Sequence, residues 1–316
     1  MSKSEVIAHD VIRVPTGISN AYIVGTAQRW VLIDSGTPGN ASNILTAAEQ
    51  HLGPNATPLA IVLTHGHFDH AGSASELAQH WGVEVFVHHR EMPFVDGTSH
   101  YPPPDPTVGG LMAQITRFVP TTRIDLTPHV RKLDLASGEL PWAPGWLIIE
   151  TPGHTAGHVS FFRPADSTLI AGDAFTTMNQ DNIVGMISKR QQVRRPPAAF
   201  TPDWKAAEES VRLLASLNPR VLAAGHGVPM EGYDALAQLR DLARHFPLPR
   251  YGRYIPDPVR YDDRGIAYLP SPVPDPLKRT LGIIGVTTVS LGIGYWLSRR
   301  VGEKQKKGIT RIHRVA

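Results

Sequence analysis

Apolar positions open this chain in short runs and change to a helical period further on. Val11-Ile-Arg-Val14, Ala21-Tyr-Ile-Val24 and Trp30-Val-Leu-Ile33 are β-rich and separated by turn residues, which predicts an antiparallel meander. From Ala41 to Leu52 the apolar residues Ile44, Leu45, Ala48 and Leu52 share one helical face. A buried strand over residues 60–63, a polar loop, a helix from about Gly72 to Trp81 and a strand at 83–87 follow, a β-loop-α-β unit. Residues 90–146 carry few firm signals beyond the Pro-rich Tyr101-Pro-Pro-Pro104 and a short helix near 109–118. Strands are predicted at 147–150, 159–163, 168–171 and 221–224, and helices at 204–217 and 233–245. Eight prolines between Phe246 and Pro276 mark an extended linker or a strap across the surface. The expected organisation is a domain over 1–245, a Pro-rich linker or strap over 246–278, and a hydrophobic helix with a basic tail over 279–316.

The last segment changes the picture of location. Nineteen residues between Arg279 and Arg299 carry no charge, and a helix of that length spans about 28 Å, close to a bilayer core. Tyr295 and Trp296 sit near its end, and seven Lys or Arg follow. Membrane association through residues 280–298 is therefore expected, as a span or an interfacial helix, with the catalytic domain facing the cytoplasm. The N-terminus does not read as a secretory signal. A hydrophobic content of 41% places the 316 residues among folded proteins, and a net charge of +3 gives no reason to expect a nucleic-acid partner. With no cysteine, disulfides are excluded and any metal site must use imidazole and carboxylate.

The candidate chemistry lies at strand ends. Leu63-Thr-His-Gly-His-Phe-Asp-His-Ala-Gly72 puts His65, His67, Asp69 and His70 directly after an apolar run: a His-rich polar loop, or half of a metal site. Three further strands end in a Gly turn that presents one possible ligand each: His154 in Thr-Pro-Gly-His, Asp173 in Ala-Gly-Asp-Ala, and His226 in Ala-Gly-His-Gly. Strand ends converging on one sheet edge make a ligand site. Seven candidates are too many for one ion, and two ions sharing Asp173 account for all of them.

These motifs, with Asp34 in Leu-Ile-Asp-Ser-Gly, resemble the metallo-β-lactamase superfamily over about residues 10–245. The resemblance implies a four-layer αββα sandwich. It implies that His65, His67 and His154 bind one metal, that Asp69, His70 and His226 bind a second, and that Asp173 bridges them. Asp34 matches the family's buried acidic position near the metals, and His158 is read as a hydrogen-bonded support. The expected cofactors are two divalent ions, Zn²⁺ first, with Mn, Fe or Co open. The expected activity is hydrolysis of a small carbonyl compound, lactone or ester, by a metal-bridging hydroxide that Asp69 orients. Thioester or β-lactam hydrolysis, phosphodiester hydrolysis and sulfur dioxygenation at a single iron are the alternatives. Lys189, Arg190, Arg194 and Arg195, in the loop 175–202, are candidates to receive an anionic group of the substrate.

Overall fold

The computed structural model describes residues 3–117, 124–181, 184–185 and 190–275. Residues Met1 to Ser271 form one compact unit. The expected hydrophobic helix at 280–298 lies outside the described residues, and no described helix is long and apolar enough to cross a membrane.

The first sheet holds seven strands in sequence order: β1 (Glu5–Ala8), β2 (Val11–Thr16), β3 (Ser19–Thr26), β4 (Arg29–Ile33), β5 (Ile61–Val62), β6 (Val85–Val87) and β7 (Val130–Lys132). β1 to β4 are the antiparallel meander, and pairing from β4 through β7 is parallel. The second sheet runs β12-β11-β10-β9-β8, from β8 (Leu147–Glu150), β9 (Val159–Arg163), β10 (Thr168–Gly172), β11 (Val221–Ala224) and β12 (Met230–Glu231).

Strand periodicity explains the layering, because neighbouring residues on a strand face opposite ways. In β4, Trp30 and Leu32 pack outward against α1 (Ala41–Leu52) and, past the four-residue α2 (Phe68–Ala71), against α3 (Ala74–Trp81). Val31 and Ile33 pack inward with Phe161, Ile170 and Ala223 of the second sheet. In β10 and β11, Leu169, Ala171, Leu222 and Ala224 face outward to two long helices near the C-terminal end of the domain, Trp204–Ser216 and Gly232–Arg244. With sheet strands apolar on both faces, three hydrophobic layers form and the architecture is helix, sheet, sheet, helix. Between the halves lie two short helices, α4 (Met92–Val95) and α5 (Leu111–Ile115), so the long ones are α6 (Trp204–Ser216) and α7 (Gly232–Arg244).

Residues 246–271 pack against the domain, with Phe246, Tyr254 and Val259 buried in its core, and carry a small hairpin, β13 (Arg260–Asp262) with β14 (Gly265–Tyr268). The strands β1 and β7 and the helix α4, which the apolar pattern does not mark, complete the unit.

Candidate metal centre

Parallel pairing of β4 with β5 and of β10 with β11 brings four chain ends to one rim. β5 ends at the loop carrying His65 and His67, and Asp69 and His70 follow in α2. β8 precedes His154, β10 precedes Asp173, and β11 precedes His226. Gly225 allows the last approach, because a Cβ there would collide with Asp173 and the His70 ring.

All seven predicted ligand residues meet at this rim, in two overlapping sets. His65 Nε2 lies 3.1 Å from His67 Nδ1, which lies 3.0 Å from His154 Nε2. On the other side His226 Nε2 is 3.3 Å from Asp69 Oδ2, and His70 Nε2 is 3.8 Å from the same oxygen. Asp173 stands between them: Oδ2 is 3.1 Å from His226 and 3.5 Å from His154, while Oδ1 is 3.5 Å from His70. Four ligands at ~2.0–2.1 Å around a tetrahedral ion are about 3.3 Å apart, the scale of these edges.

Two further observations fit a cation. His70 Nε2 and Asp173 Oδ1 are buried in the middle of the cluster and have no hydrogen-bond partner. The charges are also unbalanced. Burial holds His65 and His154 well below the ordinary imidazole range, and His67 at about 4, so this trio is neutral and its ring nitrogens can donate lone pairs. Around His70 burial also opposes charge, but Asp173, Asp34 and Asp69 outweigh it and push the imidazole well up. At His226 the same contest, with Asp173 and Asp69 against burial, raises it to about 10. Carboxylates crowded at this end demand positive charge, which a divalent ion supplies and protonated imidazole imitates.

The surroundings fix which nitrogen faces inward. His70 Nδ1 donates to Asp34 Oδ2 at 2.8 Å, and His226 Nδ1 donates to the Ile18 carbonyl at 2.7 Å. Asp34 also accepts from the Thr64 amide at 2.7 Å, which anchors the loop to β4. His158 accepts a hydrogen bond at Nε2 from the Asp173 amide at 2.9 Å, so its Nδ1 donates to Thr151 Oγ1 at 2.8 Å. Burial keeps it neutral, at about 3. It braces the Asp173 turn and points no nitrogen at the cluster.

Two of the four cations predicted to meet substrate line one cleft. Lys189 lies outside the described residues. Arg190 is exposed. Arg194 and Arg195 approach Asp181 at 3.7 and 3.9 Å, and Arg195 also donates to the Pro247 carbonyl at 2.8 Å. They line a cleft with Gly109, Met112 and Thr176.

Sequence reasoning missed Glu91. It is fully buried at the start of α4, and one oxygen accepts from the Gly66 amide at 3.1 Å, between His65 and His67. The other accepts from the Gly157 amide at 2.7 Å, three residues after His154, and the Tyr101 hydroxyl donates to the first. One carboxylate thus ties together both loops of the neutral trio. Tyr101 was missed too; its ring packs against His67 at 4.4 Å and stacks on Phe94 at 4.5 Å. It faces a second cleft, which His67 and His154 border and Phe200, Tyr254 and Tyr261 help to line. No local signal marks these residues, since their partners are remote in sequence.

Comparisons with known proteins agree with this geometry. A model of the metallo-beta-lactamase superfamily matches residues 14–226. The probable metallo-hydrolase YflN of Bacillus subtilis (strain 168) is 42% identical over 230 residues, which is 72% of this chain and 87% of that protein. The hydroxyacylglutathione hydrolase GloC of Haemophilus influenzae (strain ATCC 51907 / DSM 11121 / KW20 / Rd) is 31% identical over 136 residues, 43% of this chain and 58% of that one. Among solved structures, the BLEG-1 B3 metallo-beta-lactamase superposes with a TM-score of 0.51 at 23% identity, covering 72% of this chain and 95% of its own, a likeness of fold alone. The chain belongs to the metallo-beta-lactamase superfamily, as a metal-dependent hydrolase built on divalent ions.

Proposed function

We propose that this protein is a dinuclear-metal hydrolase, zinc-dependent in the first instance, that cleaves a small ester or lactone. The observation that carries the reading is the position of Asp173, whose two oxygens face both ligand sets. His65, His67 and His154 would hold one ion and Asp69, His70 and His226 the other. Ions bound there supply acidified water and polarise the carbonyl under attack.

The chain's own groups do the rest. Asp69 is the acid of the cluster that solvent reaches, its side chain being 12% exposed against 3% for Asp173. It can accept a hydrogen bond from the attacking water and orient it toward the carbonyl carbon. His70 and His226 hold Asp69 ionised, at about 2, against the burial that would neutralise it. Hydrolysis adds the water oxygen to the acyl carbon and breaks the acyl–oxygen bond. The leaving alkoxide then takes up a proton.

A thioester substrate is the second reading, favoured by relatives named hydroxyacylglutathione hydrolase that match about half of this chain or less. Elemental analysis of the purified full chain, followed by turnover of lactones, aryl esters, thioesters and bis-nitrophenyl phosphate, tests both. Two ions per chain and ester or lactone turnover are expected. Turnover confined to phosphodiesters, or a single iron with no hydrolysis, overturns the proposal. The uncharged run at 280–298 and the basic tail support a further proposal of membrane attachment, with the catalytic domain facing the cytoplasm. Fractionation of the full chain against one ending at Pro276 tests it, and two wholly soluble forms would defeat it.

A further inference from the structure

The cleft beside His67 and His154 is walled by Tyr101, Pro102, Pro103, Phe200, Tyr254 and Tyr261. Among the described residues no Lys, Arg, Asp or Glu lines it, whereas the cleft across Ala199 carries Asp181, Arg194 and Arg195. Two of its aromatic walls come from residues 246–271, beyond the part of the chain that matches the family model.

This segment is fastened to the loops that form the other walls. The Arg253 amide donates to Asp105 Oδ2 at 2.5 Å, and the Tyr254 hydroxyl to the Pro103 carbonyl at 2.6 Å. The Val259 amide donates to the Pro202 carbonyl at 3.2 Å. Tyr261 meets Phe94 edge-on at 6.0 Å, behind the Phe94–Tyr101 stack that leans on His67. The phenol oxygens of Tyr101 and Tyr254 are engaged with protein acceptors. Tyr261 is half-buried but its hydroxyl is fully buried, so the cleft meets its ring. Walls that are mostly aromatic and proline carbon, next to the ligand histidines, offer a charged group no counter-charge and exclude water from an apolar one.

We propose that the segment 246–271 is a specificity element: through Tyr254 and Tyr261 it closes an apolar cleft that receives the hydrophobic substituent of the carbonyl substrate beside His67 and His154. The inference rests on the ester or lactone reading above. The substituent can belong to the acyl side or to the leaving alcohol.

The test uses the full chain loaded with metal and two series of esters. One lengthens the acyl group from acetyl to octanoyl on a fixed phenol, and the other lengthens the alcohol of a fixed acetate. In the wild type kcat/KM is expected to rise by at least about tenfold along one of them, which identifies the side bound. Tyr261→Ala is expected to flatten that rise to within about threefold. Tyr261→Phe, which keeps the ring, is expected to retain the rise. Calorimetric binding of acetate, butyrate, hexanoate and octanoate, and of the matching alcohols, reads the same preference without turnover. A flat wild-type profile in turnover and binding overturns the inference. So does a profile that Tyr261→Ala and Tyr254→Ala leave intact in proteins with wild-type melting curves, or one that Tyr261→Phe abolishes. Failure to turn over even the shortest ester counts against the hydrolase reading instead, and the binding series then decides the cleft on its own.

Discussion

The two halves of the metal centre are built on different physics. His65, His67 and His154 are a trio of neutral imidazoles, and the carboxylate behind them, Glu91, touches backbone amides of their loops and none of the rings. Asp69, His70 and His226 are a charged knot, and the carboxylate behind them, Asp34, grips His70 directly. The first half attracts a cation only if three nitrogens are held at the right spacing. The second attracts one by charge even if the geometry gives a little. Position matters most in one half and electrostatics in the other.

The strongest way to break this comparison is to remove what the halves share. Asp173→Asn keeps the shape of the bridging side chain and discards its charge. Metal content measured by elemental analysis is expected to fall at both positions. Turnover should drop by more than the ~10–100-fold typical of residues that only support ligands. Full metal content with a small loss would show that the halves do not depend on Asp173. Gly225→Ala attacks the same point sterically, since the added methyl meets Asp173 and His70. A loss of about 1–3 kcal/mol in stability, read by urea unfolding, is expected along with metal loss.

Next in size is the pair of carboxylates behind each half. Glu91→Gln replaces one acceptor oxygen with an amide that faces N–H or O–H donors, and it should loosen the His65–His67 and His154 loops. Asp34→Asn should free the His70 ring. Each is expected to weaken metal binding roughly 10–100-fold, in its own half only. Stepwise titration with a chelator in competition checks this. In Glu91→Gln the intact step should still release the second half's protons, and in Asp34→Asn the intact step should release none. Equal weakening of both steps in either variant would erase the distinction between the halves.

How far this plan was legible in the chain follows from the range of each interaction. The ligands His65, His67, His154, Asp173 and His226 could be read because each follows closely on an apolar strand, the last three through a Gly turn, so that position and residue type sit within a few residues. The layers were legible only through the resemblance these motifs bear to the superfamily, and the burial of the strands on both faces appears in the structure. Glu91 was not, because the amides it joins belong to Gly66 and Gly157, and a lone glutamate before a four-residue helix looks like any surface acid. β1 and β7 escaped because one is exposed along its edge and the other has three residues, too few to show a period. The prolines after Phe246 announce extended backbone but say nothing about what it lies against. The aromatic wall formed by Tyr254 and Tyr261 appears only when Pro103, Asp105 and Pro202 are beside them.

The finest test of the comparison is a count of protons. In the metal-free protein His226 is raised to about 10 and His70 is pushed well up, mainly because Asp173 and its neighbouring carboxylates overcome burial, whereas His67 sits at about 4 with His65 and His154 well below the usual range. At neutral pH a cation entering the second half must therefore displace protons, and one entering the first displaces none. Calorimetric titrations in buffers of different ionisation enthalpy should assign about one to two protons to one binding step and about zero to the other. The sign of the stability effect follows from linkage. A histidine raised on folding stabilises the metal-free protein fully below its ordinary value of 6.5, and that contribution is lost as pH climbs through about 10. Metal-free protein should accordingly lose stability between those limits, and Asp69→Asn, by lowering His226, should move the loss to lower pH. If both steps release equal numbers of protons, the halves share one electrostatic environment and the difference between them is geometric only.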